Sequence, residues 1–109
     1  MSKRLQNNQP FLHLLSRSSA KRRKALIKQA TKDELTSLFE ICFNILRGNI
    51  PLNSYMKRKL KRERHTLRKL ADKKVTIQKK KQVVNQKGGF LGTVASLALP
   101  VLASLILKK

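Results

Sequence analysis

The chain has 109 residues, with 26 Lys+Arg against 5 Asp+Glu, for a formal net charge of +21. That length allows one domain plus tails. That charge opposes collapse of the free chain and asks for a polyanion as partner. Cys42 is the only cysteine, so an intramolecular disulfide is excluded, and the expected role is a small buried apolar residue. A metal site could draw only on His13 and His65 besides the scattered acids. No catalytic set is readable, and neither an enzyme nor a cofactor is expected.

Met1–Gln9 reads as a disordered basic arm without the apolar run of a secretory leader. Pro10 can open a short helical turn carrying Phe11, Leu12, Leu14 and Leu15, which Ser16, Ser18 and Ser19 punctuate. A helix is predicted over Ala20–Ala30, with Lys21, Arg22, Arg23, Lys24 and Lys28 on its surface and Leu26, Ile27 and Ala30 as an apolar patch.

Thr31-Lys-Asp-Glu34 fits a capping box, and Asp33 and Glu34 suit the positive end of a helix dipole. Leu35, Leu38, Phe39, Cys42, Phe43 and Leu46 follow at helical spacing, widened by Ile41 and Ile45. This helix is the expected centre of the core, and Gly48 its stop.

A third, long helix is expected from Pro51–Ser54, capped by Asn53 or Ser54, to about Asp72 or beyond. Met56, Leu60, Leu67, Leu70 and Ile77 form its narrow stripe, interrupted by Glu63 and Lys74. The β-branched run Val75, Thr76, Ile77 weakens it. Gln86–Gly89 reads as a hinge, and Phe90–Leu107 as an uncharged helical tail ending in Lys108-Lys109. The expected organisation is a basic arm and apolar turn (1–19), a basic helical module (20–84), a Gly-Gly hinge (85–89) and a hydrophobic tail (90–109). The fold class is all-α: a small helical module with a long basic third helix and a separate apolar tail.

Candidate nucleic-acid contacts are Lys21, Arg22, Arg23 and Lys24 on the first helix. On the long helix they are Lys57, Arg58, Lys59, Lys61, Arg62, Arg64, Arg68, Lys69, Lys73 and Lys74, extended by Lys79, Lys80 and Lys81. Cations on several faces neutralise phosphates and release counterions. Their density suits backbone contact rather than base reading. Tyr55 is the only aromatic residue near the run, too little for stacking on single strands. Sequence-indifferent binding to double-stranded DNA is therefore expected. An RNA-binding protein and a tail-anchored membrane protein with a polybasic lipid-binding domain are the rival readings. For the tail, three roles stay open: a membrane anchor, an interfacial helix, or a segment docking on another protein. Phe90, Leu91, Val94, Leu97, Leu99, Val101, Leu102, Leu105 and Ile106 are the residues that would carry any of them.

The order of features also bears a resemblance. A basic stretch, then Gln86-Lys-Gly-Gly-Phe-Leu91, then an aliphatic tail with small residues and Pro100, resembles the precursor of adenoviral core protein X (also called mu). It resembles still more the X-like minor virion proteins of adintoviruses and Polinton-type elements. The likeness covers Lys79–Leu107; upstream it rests on charge and on the run Lys57–Arg62. It implies a virion core or minor capsid protein that condenses viral DNA, found in the virion and the host nucleus. It further implies a viral maturation protease that cuts after Gly88-Gly89 and before Phe90, and a tail that meets a membrane or a capsid protein. The chain departs from that pattern at Gln86, where the protease favours an aliphatic residue, and in the Leu35–Leu46 helix, which the short adenoviral protein lacks.

Overall fold

The computed structural model describes residues 3–86 and 88–107, with only the backbone described at 88, 102, 103 and 105–107. Every regular element among them is helical: α1 (Lys3–Asn7), α2 (Gln9–Arg17), α3 (Ala20–Gln29), α4 (Lys32–Leu46), α5 (Ser54–Lys61), α6 (Arg64–Ala71), α7 (Ile77–Gln86) and α8 (Gly88–Leu107). The all-α class is as the periodicity indicates.

Local chemistry sets several boundaries. At the start of α4 the Glu34 N–H donates to the Thr31 hydroxyl at 3.1 Å, and the Thr31 N–H donates to the Glu34 carboxylate at 2.9 Å. The capping box thus satisfies two donors that a helix start leaves without partners. Gly48, at φ +73°, ends the element in the left-handed conformation that a side chain disfavours. Asn53 rather than Ser54 caps α5, accepting the Met56 N–H at 2.9 Å.

The segment expected to be an arm is helical over Lys3–Asn7 and buries Leu5 completely. Asp33, in the first turn of α4, holds it there. It accepts Arg4 Nε at 3.0 Å and Asn8 Nδ2 at 2.8 Å. These two hydrogen bonds, Asn8 first, hold its carboxyl below the usual aspartate value.

The long third helix is instead three helices. The first break falls at Arg62–Glu63, where the Glu63 N–H turns back to the Leu60 carbonyl at 3.0 Å. The second spans Asp72–Thr76. There the Asp72 carboxylate accepts the Lys74 N–H at 2.9 Å, and the Thr76 hydroxyl accepts the Lys79 N–H at 3.2 Å. Short polar side chains that bond nearby backbone compete with the helix and end it. The breaks let α5 reach α8 while α6 lies on α4 and α7 on α3. A straight rod with one narrow stripe could not bury Leu60, Leu67, Leu70 and Val84 in a single core.

The tail is not separate. Phe90, Leu91, Val94, Ala95, Ala98 and Leu99 recur at one-turn spacing and are all buried in the same core as Leu38 and Ile41. They pack mainly against α2, with further contacts to α3, α5 and α7. Upstream apolar surface is limited, so burial of this face is the largest hydrophobic gain open to the chain. Gly88 and Gly89 begin α8 instead of forming an extended hinge. The side chains of Leu102, Leu105 and Ile106 lie outside the described residues, as do Lys108 and Lys109. Among the described residues no helix is long and apolar enough to cross a membrane.

Candidate nucleic-acid interface

Burying so much of α8 leaves the outer faces of α3, α5, α6 and α7 to charge. Lys21, Arg22 and Lys24 are exposed on α3. Lys57, Arg58, Lys59, Lys61 and Arg62 are exposed along α5 and its C-terminal cap, and Arg64, Arg68 and Lys69 along α6. Lys73 and Lys74 project from the turn after α6, and Lys79 from α7. Fourteen of the seventeen expected contacts therefore face solvent.

The other three serve the fold. Arg23 is half-buried: its Nη1 donates to the Ser18 carbonyl at 2.6 Å, and its Nη2 lies 3.1 Å from where a Cβ on Gly92 would stand. Arg23 thus passes close to α8 at a position where the absence of a side chain makes room. Lys81 Nζ donates to the Lys28 carbonyl at 2.9 Å, satisfying one of the free acceptors at the C-terminus of α3. Lys80 is buried, with its ammonium 5.0 Å from the centroid of the Phe39 ring.

The break between α5 and α6 gathers cations that a continuous helix would spread. Arg58, Lys61 and Arg62 from one side, with Arg64 and His65 from the other, line an open cleft of about 440 Å³. No acid and no apolar residue lines it. The Arg4–Asp33 pair belongs to α1 and α4, and no cation of α5 or α6 pairs with a carboxylate among the described residues. Mutual repulsion of this kind is relieved by an anion with several oxygens, and arginine forks suit phosphate.

His65 was not among the sequence candidates. Its place in the cleft depends on the bend, and the one local signal for that bend is Glu63 interrupting the apolar stripe. Tyr55, 55% exposed, carries Lys59 Nζ 5.6 Å from its ring centroid, which occupies one of its two faces. The surface therefore offers charge and little that reads bases. Among the described residues no group of three or more His, Cys, Asp or Glu could hold a metal ion. No protein-family model matches the chain, and no curated protein and no solved structure matches it.

Proposed function

We propose that this protein binds double-stranded DNA without regard to sequence and condenses it, as a virion core or minor capsid protein. The observation that carries the DNA reading is the unpaired cationic surface of α5 and α6 around an acid-free cleft. Phosphodiesters are its natural counter-ions, and the gain in free energy is the release of small ions. The virion setting rests on the resemblance over Lys79–Leu107.

In this reading α8 has two duties. Its inner face completes the core, and its C-terminal part is the segment left to meet a capsid protein or a membrane. Cleavage by a maturation protease at Gly88-Gly89 would first require the start of α8 to open, because Phe90 is 2% exposed. Proteases read extended backbone, so such a cut would occur on a locally unfolded chain.

The test is a binding titration of the full chain with duplex DNA across a salt series. The expected result is a linear fall of log affinity with log salt, corresponding to roughly 6–10 phosphates neutralised, and equal affinity for unrelated sequences. Charge reversal at Arg58 and Arg62 is expected to flatten that slope by about two phosphates. Weak DNA binding beside tight binding to anionic vesicles would overturn the proposal in favour of a polybasic lipid-binding protein. Preference for duplex RNA would overturn it in favour of an RNA-binding one.

A further inference from the structure

A second cavity lies away from the cationic cleft, between α4 and the connection from α6 to α7. Its volume is about 570 Å³, within the range of small-molecule sites. Phe39, Phe43, Leu70 and Ile77 supply apolar wall, and the charged residues on it are Arg4, Glu40, Lys73 and Lys80.

Two of those residues already have partners. Arg4 is bound to Asp33 at 3.0 Å, and Glu40 has an interaction of its own. Lys73 is exposed. Lys80 is different, because it is 7% exposed and its ammonium rests on the Phe39 ring. No described oxygen accepts a hydrogen bond from its Nζ. Asp72 is near enough to favour the charged form but does not pair with it. Burial dominates and lowers the lysine below its ordinary value. The side chain is largely covered, but its Nζ still reaches solvent and has no protein acceptor, so its donors are open to an anion that enters the cavity.

We propose that this cavity binds an organic monoanion with an apolar body, of the class of medium- and long-chain carboxylates. The headgroup pairs with Lys80, and the chain lies along Phe39, Phe43, Leu70 and Ile77. Charge complementarity selects the anion: three cations, Arg4, Lys73 and Lys80, stand on the wall against one acid, Glu40. The apolar wall selects the body, since a bare inorganic anion would leave it wet. The site is distinct from the cationic cleft, with which it shares no lining residue.

The test is calorimetric titration of the full chain with decanoate, kept below its micelle-forming concentration in moderate salt. Decanol and inorganic phosphate serve as the tail-only and head-only probes. Saturable one-to-one binding of decanoate is expected, with neither control probe saturating. Lys80→Met keeps the apolar stem, removes the charge, and should weaken decanoate binding about tenfold or more. Lys32→Met makes the same change in net charge on the exposed start of α4 and should leave binding unaltered. Equal weakening in both variants would mean ion exchange at the surface and would overturn the proposal. So would capture of an acidic apolar peptide where decanoate fails. In the unaltered chain, nuclear Overhauser contacts between decanoate methylenes and the Phe39 and Phe43 rings should appear, and their absence at saturation would also sink the site. Duplex DNA binding measured in parallel by Lys80→Met should not change, so the two readings fail separately.

Discussion

Lys80 and Cys42 are close enough to feel one another's charge across α4 and α7, and they titrate with opposite consequences. Burial pushes the Cys42 thiol up from 9.0 to about 12. Below pH 9 the thiol is neutral folded and unfolded. Between about 9 and 12 only the unfolded chain ionises, so stability falls as pH rises through that window. Burial moves Lys80 the other way. The charged form carries a desolvation penalty in the folded state that the unfolded chain does not bear. As pH climbs past the lowered value, the folded protein sheds that proton first and regains stability. Lys80→Met should therefore stabilise the protein modestly at pH 7, since the lysine is partly desolvated in the folded state alone. Its advantage should shrink as the pH rises. Paired thermal melts of the two proteins from pH 7 to 11 read this directly, and an advantage that grows with pH would contradict the assignment.

Among the elements, α8 decides whether the rest holds together. Phe90, Leu91, Val94 and Leu99 are each worth about 1.5–3 kcal/mol when buried, and whole domains are stable by only about 5–15 kcal/mol. A chain ending at Gly89 is expected to lose its cooperative thermal transition and much of its helical circular dichroism. Val94→Asp, placing a carboxylate at a fully buried position, should do nearly the same. A truncated chain that still melts cooperatively would show that α1 to α7 suffice. None of this was legible in the segment itself, because an uncharged stretch looks the same whether its partner is lipid or a neighbouring helix. The opposite holds for α4. Its capping box, apolar stripe and stop at Gly48 are all local signals; the structure follows the box and the stop and buries the stripe from Leu35 to Cys42, but leaves Phe43 and Leu46 at the surface, where the helix runs past its partners. The breaks at Arg62–Glu63 and Asp72–Thr76 fall between these cases. Asp72 and Thr76 are visible helix competitors, but the bend that gathers Arg58, Arg64 and His65 is imposed by packing on α4 and α8 at once. The cationic candidates were therefore legible as a composition and not as a cleft, and inward-facing Lys80 was indistinguishable from its neighbours Lys79 and Lys81.

At the scale of the whole molecule, +21 charges sit on a body about 31 × 29 × 28 Å in extent. Its Cα radius of gyration is 12.6 Å, close to the roughly 13 Å of a folded chain this long. The repulsion expected to keep the free chain open is accommodated by turning the charge outward around one apolar centre. Laid along a duplex, a 31 Å body covers roughly 18 phosphates, at one charge per 1.7 Å. The protein therefore carries about as much charge as the DNA it covers, and a fully coated duplex approaches neutrality. With roughly 6–10 phosphates met on one duplex and the remaining charge turned to neighbouring duplexes, condensation is expected to set in near one protein per ten base pairs, followed by light scattering as protein is added to a fixed length of DNA. Onset at a ratio several times higher would mean that much of the charge never reaches phosphate.

The pairing of α2 with α8 also governs when the fold can form. Phe11, Leu12 and Leu15 wait for partners about eighty positions further along the chain, and such distant contacts are slow to close. During synthesis, at about 5–20 residues per second, every basic helix emerges before α8 does. For those seconds the nascent chain carries its charge with an unfinished core, beside a ribosome made largely of RNA. Folding is thus timed by the emergence of α8, which closes the contacts that α2 leaves open.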